Sequence, residues 1–504
     1  MVELVIRPLL EFNRRMKRHT LTLLLIVLLP LVLLAEARPT NYSLILTHVT
    51  IIDMTGSLPR PDMTVVITGN RIAGLGRSGE IQLPQSARVV DTSGKYLIPG
   101  LWDMHAHTVY DRATDVERTL LPLFVANGIT GIRDMGSTIS IEQINRWRRS
   151  AADGNLMAPR IIVGQQVDGI GGPKVSYVYR VTNESEARTA VHRIKREGFD
   201  FAKVYGRLSR EMYFAVAEEA KRESIPFAGH VPPSVSLCEA SNAGQKSIEH
   251  LYDILTDAST DEARLRRTWV EREARVLALN GRAMPPELEE QEFSLLAEAM
   301  NTYSEEKAAR LFALLARNGT YECPTLVIHH TWGSLAAPTL LNDTRRRYVP
   351  VRQRRSVNLY LDAARTWSAD RKSFVNRLYQ TRLRLVGAMS RAGVDIIAGT
   401  DTADGYPVAG FSLHDELGLY VQAGLTPMEA LRTATYNPAK YFGMLDSLGT
   451  IEQGKIADLL LLDANPLDDI ANTMRIDAVV LNGRLLPREV LQRMLAAIEA
   501  AANR

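Results

Sequence analysis

From residue 97 to residue 401 the chain repeats one pattern: a short apolar run closing on a polar residue, then a longer segment with apolar positions three and four apart. The runs are LIPGLWDMHAH, GITGIRDM, PRIIVGQQV, FDFAKVYG, IPFAGHV, KSIEHL, YECPTLVI and VDIIAGTD. Eight strand-then-helix units in order predict an α/β protein built on a (β/α)8 TIM barrel over residues 98–447. Helix starts agree: Asn183 with Glu186, and Thr426-Pro427-Met428-Glu429, read as capping boxes. Residues 253–319, rich in Ala, Leu, Glu and Arg, are too long for one connecting helix and predict a helical insertion over the barrel mouth. Outside the barrel, residues 38–97 and 448–490 alternate β-branched runs with Gly, Pro and Asn breaks. They predict a small β-sandwich domain in which the two chain ends pair.

The first 37 residues break this texture. Arg14, Arg15, Lys17 and Arg18 precede the apolar run LTLLLIVLLPLVLLA, which ends at Ala35-Glu36-Ala37. A basic lead, an apolar stretch and an A-x-A site read as a signal peptide, so export to the periplasm or medium is expected, with the mature chain starting near Arg38. The run is shorter than the ~20 residues a spanning helix needs and contains Pro30, so the membrane is a partner only if this segment stays uncleaved. Met16 is an alternative start, because the lead before the basic cluster is long.

Composition narrows the chemistry. A net charge of +3 over 504 residues supplies no broad basic field, so nucleic acid is not an expected partner. Cys238 and Cys323 are the only cysteines, which excludes a disulfide framework and a CxxC metal knuckle. Any metal must be held by nitrogen and oxygen ligands. No heptad or apolar stripe decides whether the chain forms a homo-oligomer.

Chemistry in such barrels collects at the C-terminal ends of the strands. His105 and His107 share a strand face, and by themselves are weak grounds for a metal. Further on, strand 4 carries Lys203, strand 5 ends in His230, strand 6 in His250 and strand 8 in Asp401. Four imidazoles, a carboxylate and a lysine at one mouth match what zinc and similar ions prefer. An ammonium there would be repelled by metal ions, whereas a carbamate formed by CO2 on Lys203 would offer two anionic oxygens; the alternative is a salt-bridged strand lysine.

HxH on strand 1, Lys on strand 4, His on strands 5 and 6 and Asp on strand 8 resemble the amidohydrolase superfamily, in its binuclear branch with a carboxylated lysine. The resemblance covers about residues 43–485, and the closing GTIEQGKIADLLLLDANPL is similar to the imidazolonepropionase-like and Xaa-Pro or Xaa-Arg dipeptidase-like group. It implies that His105, His107 and Asp401 hold one divalent ion, zinc first, that His230 and His250 hold the other, and that carboxylated Lys203 bridges them. Such ions lower the pKa of a shared water and polarise a carbonyl, while Asp401 takes the proton and passes it to the departing amine. The expected substrate is a small molecule: a short peptide, an N-acyl amino acid or another amide. A lactone or phosphate ester hydrolase on the same site and a non-catalytic binding protein stay open as alternatives.

Related dipeptidases carry a GGH segment after strand 3, where this chain has DGIGGPK, with Pro173 at the histidine position. Tyr205 and His414 are candidate catalytic or substrate-contacting residues, Tyr205 because it shares a strand face with Lys203, His414 because it follows Asp401 near the start of the last barrel helix. His329 and His330 could line the pocket, Asp134 could support the ligand histidines or cap a turn, and the arginines from Arg345 to Arg355 read as a solvated face or an anion site.

Overall fold

The computed structural model describes residues 43–81, 87–108, 115–136, 138–170, 178–279, 282–334, 340, 342–402 and 406–503. The expected signal peptide at 1–37 and Pro173 lie outside them. Among the described residues no helix is long and apolar enough to cross a membrane.

Both chain ends enter one sheet. Strands β1 (Ser43–Ile51), β2 (Arg60–Thr68), β3 (Arg71–Arg77), β4 (Arg88–Asp91) and β5 (Tyr96–Pro99) precede the barrel. After it come β14 (Leu459–Leu462), β15 (Ile476–Leu481) and β16 (Arg484–Pro487). The order is β16-β15-β14-β5-β1-β2-β3, with β4 also on β1. The expected sandwich is therefore a single eight-stranded sheet. It curls until its far edge returns, with Arg71 of β3 bridged to Ile456 and the Ile72 N–H donating to the Lys455 carbonyl. Curling lets alternate residues of β1, β2, β5 and β14, such as Leu46, Val65, Leu97 and Leu461, share a core of their own. The opposite face, including Ile98 and Leu460, joins the main core against the barrel.

The barrel strands are β6 (Leu101–Ala106), β7 (Ile129–Asp134), β8 (Arg160–Asp168), β10 (Phe201–Val204), β11 (Phe227–Gly229), β12 (Ser247–Glu249) and β13 (Tyr321–Cys323), parallel and adjacent in that order; β9 (Val178–Arg180) pairs at the side of β8. The eighth stave is irregular. Residues 396–402 bridge Glu322 through Ile396 and Ala106 through Thr402, and the Met104 N–H donates to the Ala398 carbonyl. At Gly399 a Cβ would fall 2.6 Å from both Cys323 Sγ and the His105 Cβ, so only glycine lets the stave come this close. The two-residue period assigns faces along β10: Ala202 and Val204 pack outward in the main core, leaving Phe201 and Lys203 on the inner face.

The Thr426 capping box forms, with Pro427 in the first helical turn. At Asn183 the cap forms but the box does not close on it, because Glu186 reaches back to the N–H of Thr182 instead. Between β12 and β13 the chain builds helices Ile254–Asp257, Glu262–Ala278, Pro286–Asn301 and Glu305–Asn318. A second helical excursion carries Leu326–Ser334, Val351–Arg365 and Ala369–Arg391 between β13 and the eighth stave.

Candidate active site

His105 is the penultimate residue of β6, and His107 directly follows the strand; both are buried. The Nδ1–H of His105 donates to Glu249 Oε2 (2.8 Å), and that of His107 to the Gly136 carbonyl (2.7 Å). A carboxylate and a carbonyl can only accept, so Nδ1 of each ring carries a proton and Nε2 is the atom turned to the centre. Those Nε2 atoms lie 3.3 and 3.1 Å from Asp401 Oδ1. His250 is held by Nδ1 to Thr325 Oγ1 (2.7 Å), and its ring centre stands 4.5 Å from that of His105 and 4.9 Å from that of His230. Backbone strain collects here: His250 and Asp401 adopt φ of +70° and +56°, a region that L-residues occupy at a cost and that turns each side chain inward from its strand end.

Lys203 lies among them on the inner face of β10. It is fully buried and its Nζ has no hydrogen-bond partner. Burial pulls the ammonium down from 10.5 to about 8, against the attraction of Glu249 and Asp401. Burial likewise holds His230 well below its ordinary value and His250 at about 3, so both are neutral and able to ligate. Burial raises the Asp401 carboxyl, but His105 and His107 beside it outweigh this and hold it well below the carboxylate range.

The depressed Lys203 has a measurable consequence. Between pH 8 and 10.5 the unfolded lysine is protonated and the folded one is not. Stability conferred by this residue therefore rises with pH across that window and is lowest below pH 8. Urea unfolding of metal-free protein in CO2-free buffer is expected to show the gap between wild type and Lys203→Met closing by roughly 3 kcal/mol from neutral pH to pH 10.5. A constant gap would mean that the amine is charged and paired.

Two tyrosines border the imidazoles. The Tyr205 ring stacks at 4.1 Å on His230, and the Tyr252 ring, 43% exposed, stands 5.1 Å from His250 and 5.7 Å from His230. His414 is a correction. Its Nε2 donates to the carbonyl of Asn127, which precedes β7, and its Nδ1 hydrogen-bonds Thr473. Both ring nitrogens are spent on core contacts, so it ties the last barrel helix to its neighbours and is not a catalytic residue. His329 is also spent: Nε2 donates to the His250 carbonyl (2.8 Å) and Nδ1 accepts from Arg382 (3.0 Å), which supports the strained His250 backbone. His330 packs on Tyr379. Asp134 accepts from the Thr108 and Gly136 N–H groups, in the turn whose carbonyl holds His107. The arginine run is committed locally: Arg345 to Asp343 and Asp415, Arg346 to Asn358, Arg354 to Asn503.

Sequence reasoning missed Glu249 and Arg133, both fully buried. Arg133 donates to both oxygens of Glu249 at 2.9 Å, to Ser247 Oγ at 2.7 Å and to the Tyr441 hydroxyl at 2.9 Å. Burial raises the Glu249 carboxyl, but Arg133 and His105 hold it well below its ordinary value. The available signal was a charge inside each of two short apolar strands, GIRDM and SIEH. Asp103 was missed too; it accepts from Thr400 Oγ1 (2.6 Å) and the His105 N–H (3.2 Å), and so locks the first strand to the eighth stave.

Comparison with known proteins is consistent with this geometry. The chain covers about a fifth of the first curated relatives it matches, the ochratoxinases of Aspergillus niger: 39% identity over 95 residues, 18% of this chain and 19% of that enzyme. Imidazolonepropionase of Pseudomonas syringae pv. tomato is 24% identical over 405 residues, 79% of this chain and 87% of the enzyme. Among solved structures, bottromycin amidohydrolase superposes with a TM-score of 0.70 at 22% identity, covering 91% of this chain and 90% of that one. The sequence pattern of the Amidohydrolase family matches residues 96–486, which takes in the barrel, the closing strands and every residue of the site. The chain belongs to the amidohydrolase family.

Proposed function

We propose that this protein is an exported amidohydrolase that holds two divalent metal ions, zinc first, with a CO2-derived carbamate on Lys203, and hydrolyses the C–N bond of a small amide. The observation that carries the reading is the buried Lys203 amine, without a hydrogen-bond partner, among four histidines and Asp401. His105, His107 and Asp401 offer three donor atoms within 4.8 Å of one another, enough for one ion. His230 and His250 add two imidazoles, which would need an oxygen ligand to complete a second site; a carbamate on Lys203 would supply it and remove the cost of the buried amine.

When bound, the ions supply Lewis-acid chemistry that lowers the pKa of water and polarises a carbonyl. Asp401, held ionised, accepts a proton from the attacking water and delivers it to the nitrogen as the C–N bond breaks, giving a carboxylic acid and an amine. Tyr205, beside His230, donates its hydroxyl to the substrate's polar end. Glu249 and the Gly136 carbonyl keep His105 and His107 in the tautomer that presents Nε2. Export rests on the basic lead, apolar run and Ala35-Glu36-Ala37, and an N-terminal sequence that retains residues ahead of Arg38 would reject cleavage there.

The test is amine release from a panel of dipeptides and N-acyl amino acids by metal-loaded mature protein. Asp401→Asn is expected to lower kcat by on the order of 10³-fold. Turnover of lactones or phosphate esters with none of amides would overturn the amide reading, and no turnover of any class would favour a binding protein.

A further inference from the structure

Several buried or half-buried arginines of this molecule have an acid. Arg133 has Glu249, Arg266 has Asp257, Arg272 has Glu292 and Arg345 has Asp343 and Asp415. Arg382, on the helix Ala369–Arg391, forms no ion pair with an acid among the described residues. Its Nε is shut off from water without a partner, and the hydrogen bond it makes is from Nη1 to the neutral His329 ring. Glu292 is itself bonded to Arg272. A partly buried guanidinium without a counter-ion is costly, and its planar fork suits a carboxylate.

Its position gives that feature a purpose. Arg382 is joined to the site by two hydrogen bonds, through His329 to the carbonyl of His250. Tyr252 stands with its ring 6.3 Å from that of His329 and over His250 and His230, and remains 43% exposed at the mouth. We infer that Arg382, with Tyr252 beside it, receives a free carboxylate of the substrate, so that the preferred amides are those of amino acids with an unblocked C-terminal end. This rests on the amide reading above and narrows it.

Two probe pairs test it in metal-loaded protein: calorimetric binding of leucine against leucinamide, and hydrolysis of N-acetyl-leucine against N-acetyl-leucinamide. In wild type the carboxylate should win by on the order of 10- to 100-fold in each pair, since one charged hydrogen-bonded contact separates them. Arg382→Gln should bring both ratios close to one, chiefly through KM, at unchanged metal content. Arg382→Lys, which keeps the charge but loses the fork, should retain part of the preference. Equal handling of the two members of a pair by wild type, or an unchanged ratio in either variant, overturns the inference. If Arg382→Gln does not fold, the wild-type ratio and Arg382→Lys decide. Discrimination in binding without hydrolysis would sink the amidase and leave the carboxylate site standing, whereas equal hydrolysis of acid and amide would do the reverse.

Discussion

Lys203→Ala is expected to empty the site of most of its metal, from about two ions per chain to one or fewer, with activity falling by more than the roughly 10- to 100-fold that loss of a supporting residue costs. The direction follows from where the side chain sits. Nothing among the described residues pairs with its Nζ, so its removal breaks no hydrogen bond, and alanine takes away a buried amine that burial already disfavours. The variant without metal should therefore unfold at a urea concentration equal to or above that of metal-free wild type at neutral pH. This combination separates loss of a ligand from loss of the fold. Metal per chain by elemental analysis, after purification in bicarbonate buffer, is the measurement. One ion in both proteins would show that Lys203 is no ligand and would shift the reading to a mononuclear mechanism.

How far the sequence reached depended on the kind of contact involved. The barrel was legible because each stave is an apolar run with its own polar stop, and those stops, His105, Lys203, His230, His250 and Asp401, are the residues that meet at the mouth. The eighth stave was readable as a run but not as an irregular one, since its lost pairing comes from close packing of Gly399 on Cys323 and His105, which no local pattern encodes. His414 was misread for a related reason: distance along the chain from Asp401 does not say toward which neighbour a helix turns a side chain, and here it turns toward Asn127 and Thr473. Glu249 and Arg133 meet across 116 residues of chain, so neither strand alone announces the pair. The helices between β13 and the eighth stave read as a basic stretch because their arginines dominate the composition, although one of these arginines, Arg382, hydrogen-bonds the His329 that holds the His250 carbonyl.

Arg133→Met is expected to be among the most damaging single changes in the barrel, costing about 3–5 kcal/mol, because it leaves a fully buried carboxylate without its counter-charge. Glu249 would then have to take up a proton or draw in water, and in either case its hold on the Nδ1–H of His105 weakens. Metal affinity should drop by roughly 10- to 100-fold along with stability. Urea unfolding and competitive chelator titration measure the two effects separately. The double variant Arg133→Met with Glu249→Leu should recover much of the stability, since both charges leave together, but not the metal affinity, since His105 then has no acceptor to fix its ring. If the double variant is no more stable than Arg133→Met, the cost lies in the other bonds of the guanidinium, to Ser247, Tyr441 and the Met104 carbonyl, and Arg133 serves as a brace across the barrel interior rather than as the counter-ion of Glu249.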